Sequence, residues 1–139
     1  MALVVAGALV TGPGTGSALA STDRHTMLTL TNESRARHDR AALKFDRQLS
    51  SYAQRHSRQM ARRGKLVHTR DMADKLKGIR WHTWGENIGE SPTTLEELQQ
   101  AFMDSKLHRK NILNRAFHHV AIGVVQVKGT YWVTVIFYG

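Results

Sequence analysis

Two runs near the end of the chain, 120–127 and 131–138, are apolar at odd and even positions alike, and Lys128-Gly129-Thr130 between them has the make-up of a tight turn. Valine, isoleucine and aromatic residues dominate both runs, which predicts a β-hairpin. A strand that is apolar on both faces needs cover on both. Helices are therefore expected on each side of a small sheet. The strongest helical pattern is Leu49, Tyr52, Ala53, His56 and Met60, one face of a helix that starts behind Asp46 and ends at Gly64. Arg47, Arg55, Arg58 and Arg62 fall on the opposite side of the same wheel, so that face is expected outside. Thr94-Leu95-Glu96-Glu97 reads as a capped helix start, with Leu95, Leu98, Phe102 and Ser105 running down one side. Leu107–Leu113 reads as a second short helical piece, and Met27–His38 as a short helix. Residues 65–92 show no clean period. They are expected to form a long loop anchored by Trp81 and Trp84, and long ordered loops in small domains are usually functional.

The beginning of the chain has a different texture. Residues 1–20 carry no charged side chain; the run Leu3–Val10 is apolar, Thr11–Gly16 is rich in glycine with one proline, and Ala18-Leu19-Ala20 precedes a polar stretch. A short apolar run followed by a small-x-small site is the pattern of a secretory signal peptide. It is shorter than the roughly 20 residues needed to span a bilayer. No Lys or Arg precedes the run, so the alternatives are a true start that lies upstream and a plain flexible N-terminus. The expectation is an exported protein cut after Ala20, with the domain proper over 27–139.

Composition narrows the classes further. At 139 residues the chain has room for one domain and a real core. It contains no cysteine, which excludes disulfide scaffolds, thiolate metal sites and cysteine nucleophiles. Twenty Lys and Arg against eleven Asp and Glu give a net charge of +9. Most of that excess lies between Arg35 and Lys65, a stretch whose only acids are Asp39 and Asp46. Such a surface attracts anionic polymers or lipids. Only Phe45 and Tyr52 interleave the charges, which argues against nucleic acid as a partner.

Four local patterns carry chemistry: Leu66-Val67-His68-Thr69, Gly85-Glu86-Asn87-Ile88, Phe102-Met103-Asp104-Ser105 and His108-Arg109-Lys110-Asn111-Ile112-Leu113. Leu30-Thr31-Asn32 with Arg35, Ala53-x-x-His56-Ser57-x-x-Met60 and Tyr131-Trp132-Val133 accompany them. In order and spacing this set resembles the bacterial branch of the CAP superfamily: cysteine-rich secretory proteins, antigen 5 and pathogenesis-related proteins, which share the SCP domain. The resemblance implies an α+β fold, a three-layered α-β-α sandwich with a mainly antiparallel sheet and a C-terminal hairpin. It also implies a cleft bearing two histidines and acidic residues. Carried onto this chain, those positions are His68, Glu86 and His108; the second acid of animal and plant members falls on Ser105, and Asn87 follows Glu86 to fasten its loop.

Two imidazoles and a carboxylate, with water in the fourth position, suit a divalent metal such as zinc. The spacing in sequence does not require the three to converge, and the competing reading is a hydrogen-bonded polar cluster that orients the cleft loops. With Ser105 in place of an acid, any metal held by His68, Glu86 and His108 is expected to be weakly bound. The function implied is a secreted binding module whose cleft takes an extracellular ligand: a lipid, an envelope polymer or the metal itself. The alternatives are a metal-dependent hydrolase and a polyanion-binding protein. Among the remaining residues, His56 is expected in the core and His82 on the surface. His118 and His119 should point to opposite faces of a strand. Asn111 and Arg109 are expected to brace the helix that carries His108.

Overall fold

Lys128 and Gly129 both adopt positive φ, 50° and 80°, and reverse the chain between strands His119–Val127 and Thr130–Tyr138. A two-residue loop with both central residues at positive φ twists in the same sense as the strands it joins. The computed structural model describes residues 15–139. In chain order its elements are α1 (Thr15–Ala36), β1 (Lys44–Phe45), α2 (Arg47–Arg63), α3 (Met72–Lys75) and β2 (Trp84–Ser91), then α4 (Leu95–Asp104), α5 (Lys106–Ile112), β3 (His119–Val127) and β4 (Thr130–Tyr138).

The four strands form one sheet in the order β1-β3-β4-β2. Only the β1–β3 pairing is parallel. The hairpin therefore occupies the centre, and β2 lies at an edge. Alternation along β3 and β4 divides the core in two. Val120, Ile122, Val124, Val133, Val135 and Phe137 pack with Met27 of α1, Leu95, Leu98 and Phe102 of α4, and Ile112 of α5. Ala121, Ile136 and Tyr138 pack on the other side with Leu49 and Ala53 of α2 and Met72 of α3. This is the three-layered sandwich expected from apolar patterning on both strand faces.

Helix α2 forms where its pattern places it. The Asp46 carboxylate accepts from the Leu49 N–H at 2.8 Å, and Gly64 closes the helix at φ 59°. It lies close against the sheet because Gly123 has no side chain: a Cβ there would stand 2.2 Å from the Ala53 carbonyl. That proximity lets α2 guard the stretch of β3 that β1 is too short to cover. Ser50 Oγ accepts from Ile122 N at 3.0 Å, and Gln54 bonds both the N–H and the carbonyl of Val124. A strand edge left open is a template for aggregation, and these side chains close it. On the opposite face Arg35 is buried, and its guanidinium donates to the carbonyls of Ala41, Ile112, Asn114 and Phe117. A buried guanidinium with four of its five N–H groups bonded fixes the segment that follows α5.

The structure departs from the sequence pattern in two places. The helix expected over Met27–His38 runs from Thr15 to Ala36. Beyond Gly16 that stretch holds no glycine or proline, and Thr22 and Thr26 donate back to carbonyls one turn earlier. The expected cleavage point after Ala20 falls in the first turns of this helix; residues 1–14, which carry the apolar run, lie outside the described residues. The segment 65–92, expected to be one long loop, contains α3 and all of β2. Trp84-Gly-Glu-Asn-Ile-Gly-Glu-Ser is poor in strand formers. It is held instead by an eight-residue antiparallel register against β4, from Trp84 opposite Tyr138 to Ser91 opposite Tyr131. The two-residue strand β1 also has no signal in the pattern.

Candidate functional site

Successive residues of a strand point to opposite faces of the sheet, and β2 places Glu86 and Asn87 accordingly. Glu86 is on the α2 side, with its side chain only 2% exposed. Its Oε1 lies 2.6 Å from His68 Nδ1 and accepts from the Thr69 N–H at 2.9 Å, and its Oε2 accepts from the Thr69 hydroxyl. Tyr52 of α2 donates to Thr69 Oγ1 at 3.2 Å. An ionised carboxylate can only accept, so Nδ1 of His68 carries a proton, and in the neutral ring the lone pair is on Nε2. Glu86 thus fastens the loop between Gly64 and α3 and sets the tautomer of its histidine. His68 itself is 64% exposed.

Asn87 does the corresponding work on the other face. Its Nδ2 donates to the His108 carbonyl at 3.0 Å, and its Oδ1 accepts from Asn111 Nδ2 at 2.9 Å. Asn111 also donates to the Glu86 carbonyl at 3.2 Å. Gly85 makes room for this joint, since a Cβ there would lie 2.7 Å from Asn111 Oδ1. Helix α5 is thereby held against β2, and Arg109 ties its other side to the Met103 carbonyl at 2.7 Å. The His108 ring stacks on Phe102 with centroids 5.0 Å apart, and its Nδ1 is 2.8 Å from Ser105 Oγ. Burial, and after it the charge of His68, holds the His108 imidazole below its ordinary proton affinity.

β2 is therefore a common rail for both histidines. The structure joins His68 directly to Glu86, and His108 to Ser105 and Asn87. Both oxygens of Glu86 accept hydrogen bonds from His68 or Thr69, so Glu86 orients the histidine and its loop. Among the described residues, no cluster of three or more His, Asp or Glu side chains is arranged to hold a metal ion. The available donors are the two Nε2 atoms. Each belongs to a ring whose Nδ1 is fastened by an oxygen, which is how metal-binding imidazoles are usually oriented.

His56 is buried, bonded through Nε2 to the Val67 carbonyl at 2.7 Å, and belongs to the core. His82 and His118 are exposed, while His119 stacks on Tyr138. Trp81 packs as an anchor against the α2-side core, whereas Trp84 stays 42% exposed. Arg47, Arg55, Arg58 and Arg62 all face outward. Sequence reasoning gives no role to Thr69, the residue that receives both oxygens of Glu86; a hydroxyl immediately after His68 is its only mark in the chain.

The family model for the cysteine-rich secretory protein (CAP) family matches residues 28–137. The chain is 37% identical over 109 residues to the uncharacterized protein YkwD of Bacillus subtilis (strain 168), covering 74% of this chain and 42% of that one. It thus spans less than half the length of that relative. An extracellular SCP-domain protein from Bacillus anthracis superposes with a TM-score of 0.73 at 26% identity, over 92% of this chain and 45% of that one. An outer surface protein from Borrelia burgdorferi shares the fold, with a TM-score of 0.74 at 14% identity over 84% of this chain and 92% of its own. No helix among the described residues is long and apolar enough to cross a membrane. The matched span includes α2, the His68 loop, β2, α5 and the hairpin, and so this cysteine-free chain belongs to the CAP family.

Proposed function

We propose that this chain is a secreted binding module whose cleft, between His68 on its loop and His108 on α5, takes an extracellular ligand and binds a divalent cation such as zinc weakly. One observation carries the reading. Each imidazole has its Nδ1 engaged by an oxygen, from Glu86 and from Ser105, which leaves both Nε2 atoms free as donors. Burial favours the neutral form of the His108 imidazole, the form that can bind a metal. When bound, the cation would supply a positive centre for an oxygen of the ligand. His68 and His108 would hold it, Glu86 and Ser105 would orient them, and Asn87 would keep α5 in place. With only two protein donors, affinity is expected to be low. Export is supported by the uncharged, apolar start of the chain and the Ala18-Leu19-Ala20 site.

Zinc titration of the purified protein, followed calorimetrically, tests the site. Weak binding is expected in the parent, lost in His68→Ala and in His108→Ala while both variants remain folded. It should also weaken below about pH 6, as imidazoles take up protons. Binding unchanged in either variant would rule the cleft out as the metal site.

A further inference from the structure

A pocket of about 440 Å³ opens between α2, the His68 loop and α3. Four cations from three elements line it: Arg63 at the end of α2, Lys65 and Arg70 on the loop, and Lys75 on α3. Asp71 is the one acidic residue in the lining. The ion pairs among the described residues are Arg37–Glu33 and His68–Glu86. Among those residues, none of the four cations is neutralised by a partner, and none of their side chains makes a hydrogen bond. Lys75 is placed over the Tyr52 ring, 5.4 Å from its centroid. Positive side chains at the end of α2 complement the helix dipole. That accounts for Arg63 and Lys65 but not for Arg70 and Lys75, which come from other elements.

The walls are fixed. The Gly64 turn sends the loop back along α2, with Lys65 N–H bonded to the Met60 carbonyl and the Val67 carbonyl to His56. Thr69 is held by Glu86. A concave, pre-formed site lined by four cations and one acid suits an anion carrying several charges and several acceptor oxygens. Arginine forks match such an anion in geometry, and lysines match it in charge. Tyr52, Met60 and Val67 add a less polar wall on which an organic substituent can rest.

We infer that this pocket binds a phosphate ester, its phosphate held by Arg63, Lys65, Arg70 and Lys75 and its organic part set against Tyr52. The phosphate can come from a soluble ester or from a lipid headgroup. The inference rests on the binding-module reading only in that His68 borders both sites, and it names the ligand chemistry for this side of the cleft.

Calorimetric titration with glycerol 1-phosphate at low ionic strength tests it, beside sedimentation with vesicles containing phosphatidylglycerol. Saturable one-to-one binding of glycerol 1-phosphate is expected. It should weaken at least about tenfold in the Arg63→Gln/Arg70→Gln double variant, since two charge-assisted contacts are lost. It should change less than about twofold in Arg47→Gln/Arg58→Gln, which removes equal charge from the outer face of α2. Vesicle binding lost in the first double variant alone assigns the lipid headgroup as a source; binding of the soluble ester without vesicle binding assigns the free ester. No saturable binding of either probe, equal loss in the two double variants, or equal affinity for acetate would overturn the proposal. His108→Ala should leave phosphate binding intact while zinc binding disappears, which separates failure of this site from failure of the cleft.

Discussion

Strands β3 and β2 flank β4 on its two sides, yet they hold their places by different means. β3 buries Val120, Ala121, Ile122 and Val124 completely. Its stability comes from apolar area removed from water on both faces, roughly 1.5–3 kcal/mol for each large side chain. From β2 only Ile88 joins a hydrophobic cluster, with Met60 and Trp132. Apart from the exposed Trp84, the rest of β2 is glycine, which lets neighbours approach, or polar residues, of which Glu86 fastens the His68 loop and Asn87 fastens α5. One strand supplies cohesion and the other supplies positions. A strand at the edge of a sheet is free to do this, because groups on opposite faces can approach one another past it.

The largest effect should come from breaking the cohesive strand. Val124 is fully buried and belongs to the core cluster to which α1, α4 and α5 contribute. Val124→Asp places a carboxylate there with no partner, and should cost on the order of 3 kcal/mol or more. Urea denaturation measures it. A variant that unfolds like the parent would mean that β3 does not carry the core.

The positional strand should respond to added volume rather than to lost area. A Cβ on Gly89 would meet Phe102 at 2.8 Å and Leu98 at 2.9 Å; one on Gly85 would meet Asn111 Oδ1 at 2.7 Å. Overpacking of this kind costs about 1–3 kcal/mol. Gly89→Ala and Gly85→Ala should therefore lose similar stability but differ in consequence. The first pushes on α4, and Phe102→Leu in the same chain should recover part of the loss. The second displaces the Asn111 joint that seats α5, so it should also weaken zinc binding. Zinc affinity in Gly85→Ala equal to that of the parent would break the link between β2 and the placement of His108.

The same contrast explains what is legible in the chain. Burial by area leaves a periodic trace, and so the hairpin, α2 with its Asp46 and Gly64 ends, and α4 with its Thr94 cap can be read directly. Support by register and close approach leaves none. Gly85, Glu86, Asn87 and Gly89 have the composition of a loop, and the partner that makes them a strand is β4, at the far end of the chain. The early turns of α1, exposed around Leu19, need no apolar stripe, so the pattern reveals only the later part of that helix. His68, Glu86 and His108 stand out through their motifs. Which of them bond one another is decided by the edge position of β2 and by Thr69, and neither is visible in spacing.

The smallest change in stability, and the sharpest test of a positional role, belongs to Glu86→Gln. The amide keeps the shape of the carboxylate. Its oxygen can still accept from the Thr69 N–H and from His68, and its NH2 can donate to Thr69 Oγ1 in place of the bond it loses. What disappears is the charge. Hydrogen bonds to a charged acceptor contribute about 1.5–3 kcal/mol against about 0.5–1.5 for neutral ones, and relief from burying that charge offsets part of the difference. A loss of about 1 kcal/mol or less is expected by urea denaturation. The imidazole, in contrast, keeps its hydrogen bond but loses the charge behind it, and changes in such an outer partner are usually worth roughly 10- to 100-fold in metal affinity. Zinc binding should therefore fall by about that factor while the fold is nearly untouched. Should Glu86→Gln bind zinc as the parent does, Glu86 serves only to hold the loop to β2, and the polar-cluster reading of this site replaces the metal one.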